Sequence, residues 1–504
     1  MSELSNTKKS YYNILTDIIG KVLIIIISIV IPKLYIDYYG SQYNGLVNSL
    51  NGIFVYLNLL EAGIGSASIQ ALYKPITEKN YAKINEILSA TRFYYLRNGL
   101  FFLTGLLVVS FGYPSFSNSD ISYWRIIALI ILTGIPYILK FFFQGKYTVL
   151  LIADNRLYIL NIITNGFHFL ANIAKIIFII NDYDILIVQA AFAVVYFCQI
   201  IFIHLYIKKK YKDVSYYQEP DLYSLAKSRA AMVHELAYAI FNNTDVILLT
   251  YFLSLEVVSV YSVYNMIFSQ VMILLQSITI GTNSGLAQLM VKDFKKYVNV
   301  YEKFEYLFQS FVTFIMISVG VMTIPFIRLY TQQATDVEYV IYELPLLFTT
   351  IQILSLLRWP GVGAIKAAGM FKETKNRAMI EVIINISSSL ILINYMGMVG
   401  VLWGTILALI YRTLDVIIFT RKYILLKNYI LNIIRTFILI FVGLILYFFE
   451  SKIDLYCSNY VEFFYKGILV LLLNLLLLII YLYITDKDMV LKFLSNIFKK
   501  GNKI

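Results

Sequence analysis

Long apolar runs recur along this chain from about residue 12 to about residue 485, and the stretches between them are too short to fold as separate soluble domains. An α-helix needs roughly 20 apolar residues to cross a bilayer. Fourteen segments of about that length are read. The first seven lie near 12–37, 43–68, 95–113, 124–150, 156–180, 184–207 and 229–253. The other seven lie near 256–289, 305–329, 341–366, 377–396, 399–420, 431–450 and 466–485. Lipid offers no water to bond backbone groups, so each spanning segment must satisfy its own and is expected as a helix. Charge content agrees, at 14% against roughly a quarter in soluble domains. The expected fold class is an all-α membrane protein of about fourteen transmembrane helices, which excludes a soluble multidomain enzyme.

The net charge of +12 would suggest nucleic acid in a soluble protein. In a membrane protein it reflects Lys and Arg in cytoplasmic loops. With the N-terminus inside, thirty-one of the forty-two Lys and Arg fall in cytoplasmic segments. Five fall outside: Lys33, Arg125, Arg328, Lys452 and Lys466. Both termini are therefore expected in the cytoplasm, and no nucleic-acid partner is expected. The first apolar run is long and lacks a small-residue cleavage site, so it reads as a span and not as a signal peptide. Cys198 and Cys457 define no disulfide framework, and His168, His204 and His234 are too scattered for a metal cluster. No cofactor is expected.

Six spans return the chain to its starting side. The expected division is therefore a six-helix bundle over 1–207, a cytoplasmic linker over 208–228, a second bundle over 229–425, and two further helices with a tail over 426–504. Two such halves would be parallel repeats about an axis along the membrane normal. The fourth span of each half carries a helix breaker beside a cation: Pro136 with Lys140, and Arg358 with Pro360. Proline deletes a backbone hydrogen bond and kinks a helix, and interruptions at matching places in two halves point to a transport pathway.

An ionised group at mid-bilayer costs at least about 2.5–3.5 kcal/mol, so it should face a wet cavity or a partner. The basic residues within spans are Lys21, Lys140, Lys175, Arg358, Arg412 and Arg435. Arg412 and Arg435 lie near cytoplasmic ends and can snorkel. Asp17 stands one turn before Lys21, which allows a neutralised pair or a cavity cation with a releasable partner, and makes Asp17 an ion-coupling candidate beside Asp245. Lys140 and Arg358 have no acid one turn away and are the better anion-binding candidates. Lys175 lies deep in the fifth span, where it can bind substrate or snorkel outward. Asp245, after Asn242 and Asn243, is an intramembrane carboxylate that can exchange H+ or bind Na+, or serve helix packing. Glu61 precedes Ala62-Gly63-Ile64-Gly65, where it can gate or cap. Gln270 and Gln276 suit a sugar pathway, or helix–helix hydrogen bonds. Tyrosine pairs such as Tyr11-Tyr12 and Tyr38-Tyr39 sit at span ends as an interfacial belt. Basic residues of Lys74–Arg97 read as contacts to anionic membrane lipids.

The run from Glu61-Ala62-Gly63-Ile64-Gly65-Ser66 through Asn85 resembles the loop after the second span of bacterial polysaccharide-biosynthesis flippases. These belong to the multidrug/oligosaccharidyl-lipid/polysaccharide exporter superfamily. Asn243–Leu249 with Val260–Ile267, Ala367–Lys372 and Gly397–Thr405 are similar to its second half. The resemblance covers most of residues 10–420. It implies two six-helix bundles in a V that alternate between inward- and outward-facing states. It also implies a polyprenyl-pyrophosphate oligosaccharide as substrate, the bacterial cytoplasmic membrane as location, and polysaccharide polymerase machinery as a partner. A pyrophosphate needs cations in a wet cavity, which Lys21, Lys140, Lys175 and Arg358 can supply. A multidrug exporter of the same superfamily would instead carry acidic cavity charge. A membrane glycosyltransferase or polymerase would need a large external loop with acids, and Asp182-Tyr183-Asp184 is too short for one.

Overall fold

A computed structural model describes residues 6–61, 64–117, 119–223, 229–453 and 455–487. Ala62 and Gly63, which follow the gating or capping candidate Glu61, lie outside the described residues, as do residues 224–228 of the expected linker. The described residues are mostly helical with no strand among them, and a helix stands at each of the fourteen apolar segments. Ten helices are long and apolar enough to cross a membrane. Packing divides the chain into two compact units, Met1–Ser262 and Val263–Ile504.

The first unit contains α1 (Asn6–Tyr39), α2 (Ser41–Asn58), α3 (Ile64–Thr77), α4 (Tyr81–Phe116), α5 (Tyr123–Leu139), α6 (Gly145–Ala153), α7 (Leu157–Ile180), α8 (Ile185–Lys210) and α9 (Arg229–Phe252), and ends within α10 (Leu255–Lys292). The apolar run 43–68 is divided: α2 ends at Asn58, a 3-10 turn covers Leu59–Glu61, and α3 begins at Ile64. The core gathers Leu50, Phe54, Phe102, Leu106 and Phe141, all almost fully buried. Phe102 and Tyr137 stack at 5.9 Å between ring centroids, and Phe54 meets Tyr137 at 5.2 Å. Aromatic pairs of this geometry add about 0.5–1.5 kcal/mol beyond their buried area. They form a firm wall behind α5.

The second unit continues through α11 (Phe294–Tyr330), α12 (Leu344–Leu357), α13 (Trp359–Ala367), α14 (Phe371–Phe419), α15 (Ile430–Glu450) and α16 (Tyr460–Thr485). Its most enclosed helix is α11, which packs against α12, α13, α15 and α16. Spans eleven and twelve form one continuous run broken at Gly397, whose φ is 56°. Only glycine enters that left-handed region without strain, so the chain reverses there without a loop.

Span ten is interrupted at Arg358, beside the helix breaker Pro360. A kink within one helix is expected from Pro360, but α12 ends at Leu357 and a new helix starts at Trp359, with Pro360 in its first turn. A missing N–H costs nothing there, because first-turn N–H groups have no intrahelical acceptor. Arg358 sits at the joint between the two helices. In the first unit Pro136 stays inside α5, and a π-helical turn over Lys140–Gln144 follows it.

Candidate functional site

Two of the cations singled out by depth come together in the first unit. A cavity of about 350 Å³ is lined by Lys140 and Lys175, with Pro136 in its wall. Four helices each give one face, at the i, i+3, i+4, i+7 spacing that puts side chains on a single stripe. From α5 come Thr133, Pro136 and Tyr137, with Lys140 at the start of the π turn that continues it; from α7, His168, Asn172 and Lys175. Gln189, Phe192 and Tyr196 come from α8, and Val47 and Asn51 from α2.

Lys140 begins the π turn, whose wider i to i+5 bond is made by the Gly145 N–H donating to the Lys140 carbonyl. Such turns concentrate at functional sites. The Lys140 ammonium donates to Glu61 Oε2 at 2.6 Å. Tyr95 donates its hydroxyl to Glu61 Oε1 at 2.8 Å. Tyr95 is held in turn by Gly145: a Cβ at that position would run into the Tyr95 ring. Gly145, Tyr95, Glu61 and Lys140 thus form one chain of positioning contacts. Gly145→Ala should lower thermal stability by roughly 1–3 kcal/mol, the usual cost of overpacking. An unchanged melting temperature would show that Tyr95 moves aside freely.

Lys175 differs from Lys140. Snorkelling to an outer surface was one expectation, but its residue is only 8% exposed. Its ammonium donates to the Tyr35 hydroxyl at 3.3 Å and lies 4.2 Å from the centre of the Phe192 ring. Gln189 also donates to Tyr35, at 3.1 Å. Among the described residues no carboxylate lies within 4 Å of Lys175. A buried cation compensated by only a ring and a hydroxyl is poorly satisfied and is suited to an arriving anion.

The remaining first-unit candidates sit elsewhere. Lys21 pairs with Asp17 at 2.8 Å on a largely exposed face of α1. Asp245 is buried, and Tyr261 donates to its Oδ2 at 3.2 Å. Asn242 and Asn243 turn back to the carbonyls of Tyr238 and Ala239 on their own helix. The ring of polar contacts between α2 and α9–α10 includes Ser49 with Thr250 at 2.8 Å and Asn44 donating to Ser259 at 2.7 Å.

In the second unit Arg358 is compensated. It donates to Glu381, which also meets Arg412 at 3.3 Å. Arg412 pairs with Asp415 at 2.6 Å, and Arg377 closes the row on the other Asp415 oxygen. Arg412 is therefore not a snorkelling residue: it is 6% exposed, held between two acids. Gln270 and Gln276 each keep a buried polar atom without a hydrogen-bond partner, Oε1 and Nε2 respectively.

Several lining residues escaped the sequence reading, which looked for neutral polar groups near Asp245 and in span eight and not in the first half, where Asn51, Asn172 and Gln189 lie. Signals were present: His168, Asn172 and Lys175 make a polar stripe at i, i+4, i+7 along α7. Likewise, Glu381 stands four residues after Arg377, and Asp415 three after Arg412, the spacings of same-face ion pairs.

No protein-family model matches this chain, and no curated protein matches it. Solved structures do. The lipid II flippase MurJ in an inward closed conformation superposes with a TM-score of 0.68 at 17% identity, covering 95% of this chain and 99% of that one. An inward-facing multidrug resistance MATE family transporter of the MOP superfamily gives 0.61 at 13% identity, covering 79% and 93%. A MATE transporter of Vibrio cholerae gives 0.54 at 11%, covering 84% and 98%. The chain thus has the fold shared by MurJ and the MATE transporters of the MOP superfamily.

Proposed function

We propose that this protein is a flippase that moves an oligosaccharide carried on polyprenyl pyrophosphate across the bacterial cytoplasmic membrane, for cell-surface polysaccharide assembly. Both termini are placed in the cytoplasm, following the Lys and Arg asymmetry. The observation that carries this reading is the cavity that brings Lys140 and Lys175 together with Asn51, Asn172 and Gln189. Cations take the pyrophosphate; amides and hydroxyls take the first sugar. At about 350 Å³ it is at the lower end of ligand pockets, roughly 300–1,000 Å³. That suits the charged linkage better than a whole repeat unit.

Transport by alternating access needs contacts that break and reform. The hydroxyl and amide pairs of α2 with α9–α10 are of that kind, each contributing only about 1 kcal/mol net. The likeness to MurJ supports a lipid-linked cargo, and the two V-shaped bundles of the sequence reading remain part of this proposal. A multidrug exporter would need acid in the cavity for cationic drugs; two lysines and His168 line it, no carboxylate does among the described residues, and Glu61 beside it is held by Lys140.

The deciding experiment reconstitutes the protein in vesicles loaded with lipid-linked oligosaccharide and follows exposure to a membrane-impermeant glycosidase. Protein-dependent exposure supports the reading; none with any of several oligosaccharides overturns it.

Asp245 is the proposed coupling carboxylate, exchanging H+ or binding Na+. One ion moved per cycle across a tenfold gradient supplies about 1.4 kcal/mol, a tenfold bias in cargo distribution. Wild type should show a gradient-dependent bias up to about that size, and Asp245→Asn should lose it while still equilibrating cargo. A variant with the full bias would remove Asp245 from coupling.

A further inference from the structure

The external face of the second unit carries a feature that the proposed transport cavity does not use. Of the five Lys and Arg placed outside, three have acids beside them: Lys33 with Asp37 at 3.0 Å, Arg125 with Asp184, and Lys466 with Glu462 at 2.6 Å. Arg328 and Lys452 have no carboxylate within 4 Å among the described residues. Arg328 donates to the Tyr342 hydroxyl at 2.7 Å, and the Lys452 ammonium lies 4.2 Å from the centre of the Phe448 ring. Both line one crevice of about 810 Å³.

The crevice lies where α11 ends, α12 begins, α14 reverses and α15 ends, which is one end of the unit. Its walls are apolar, with Ile324, Pro325, Leu346, Val399 and Trp403. Glu343, exposed at the start of α12, is the one acid in the lining, and two cations outweigh it. Asp454 lies outside the described residues. Cations at one end and apolar wall beyond match a molecule with an anionic head and hydrocarbon tails.

We propose that this crevice holds an anionic phospholipid of the outer leaflet, its phosphate on Arg328 and Lys452 and its acyl chains along α11, α12 and α14. The outward placement rests on the orientation adopted under the proposed function. A bilayer phospholipid is favoured over the transported lipid by mass action, since it surrounds the protein in excess.

Native mass spectrometry of the purified full-length protein tests this, with phosphatidylglycerol and phosphatidylcholine as probes. Wild type should retain at least one phosphatidylglycerol at concentrations where phosphatidylcholine is lost. Arg328→Gln with Lys452→Gln should weaken that retention by about tenfold or more, the scale of losing charge-assisted phosphate contacts. Arg328→Lys with Lys452→Arg should keep it, and so should Arg125→Gln. Equal retention of the two lipids, or retention that survives the Gln pair, overturns the proposal. Displacement by millimolar inorganic pyrophosphate also overturns it, by showing a site for soluble phosphate. The vesicle assay separates the two readings: selective lipid retention without glycosidase exposure leaves this site and removes the flippase, and the reverse result leaves the flippase alone.

Discussion

Lys175→Met should slow oligosaccharide exposure in vesicles by about tenfold or more at limiting substrate while raising the melting temperature. The two effects have one cause. A buried ammonium without a carboxylate beside it costs folding free energy, and an unbranched apolar side chain of similar length removes that cost. Groups that destabilise the fold yet persist in a cavity are the expected mark of a site built for something absent. Lys140→Ala should also slow exposure, but it should lower stability where Lys175→Met raises it, because Glu61 loses its ion pair and keeps only Tyr95. Each cation–phosphate contact is worth about 1.5–3 kcal/mol, so the two substitutions together should slow exposure at limiting substrate by roughly a hundredfold or more.

Saturation then distinguishes binding from switching. If the lysines hold the pyrophosphate equally in every state, excess substrate restores the rate. If they hold it more tightly in one state, the maximal rate itself falls, because a ligand shifts a conformational equilibrium only by its differential affinity. The first unit argues for the second outcome. Under the proposed function Glu61 would release Lys140 to an arriving pyrophosphate, and Glu61 stands at the break between α2 and α3. Substrate charge is thereby coupled to the joint of a helix. A Lys175→Met, Lys140→Ala protein that exposes cargo at the wild-type rate would end this assignment.

Much of the fold is legible in the sequence because lipid imposes one local rule, that apolar length means helix. That rule says nothing about interruptions within an apolar run. The division of 43–68 at Leu59–Glu61 and the new helix at Trp359 are set by packing and by the first-turn preference of proline. For the site, depth identified Lys140 and Lys175, since burial of a cation is a local property of its span. Their surroundings were not local. Glu61 is 79 residues from Lys140, and Tyr35 is 140 from Lys175. No spacing rule reaches that far. Lys140 and Arg358 both show the limit of a one-turn search: each lacks an acid one turn away, and Glu61 and Glu381 supply one from another helix.

That network yields the second large effect. Glu381→Gln should destabilise the second unit by about 3–5 kcal/mol, the range for removing one partner of a buried ion pair. Three guanidinium groups would then share the single carboxylate of Asp415 among the members of the row. Thermal unfolding of the purified protein should show a large drop in melting temperature. Adding Arg358→Gln to Glu381→Gln should recover much of it, because two neutral amides cost less than one unpaired charge. Such non-additivity is what direct contact predicts. The double variant also decides what Arg358 does. With stability recovered, restored exposure of cargo makes Arg358 a structural member of the row. Exposure still lost makes it a substrate contact as the sequence reading proposed. A Glu381→Gln protein that melts with the wild type would mean that water or a further partner already satisfies Arg358 and Arg412, and the row would lose its structural role.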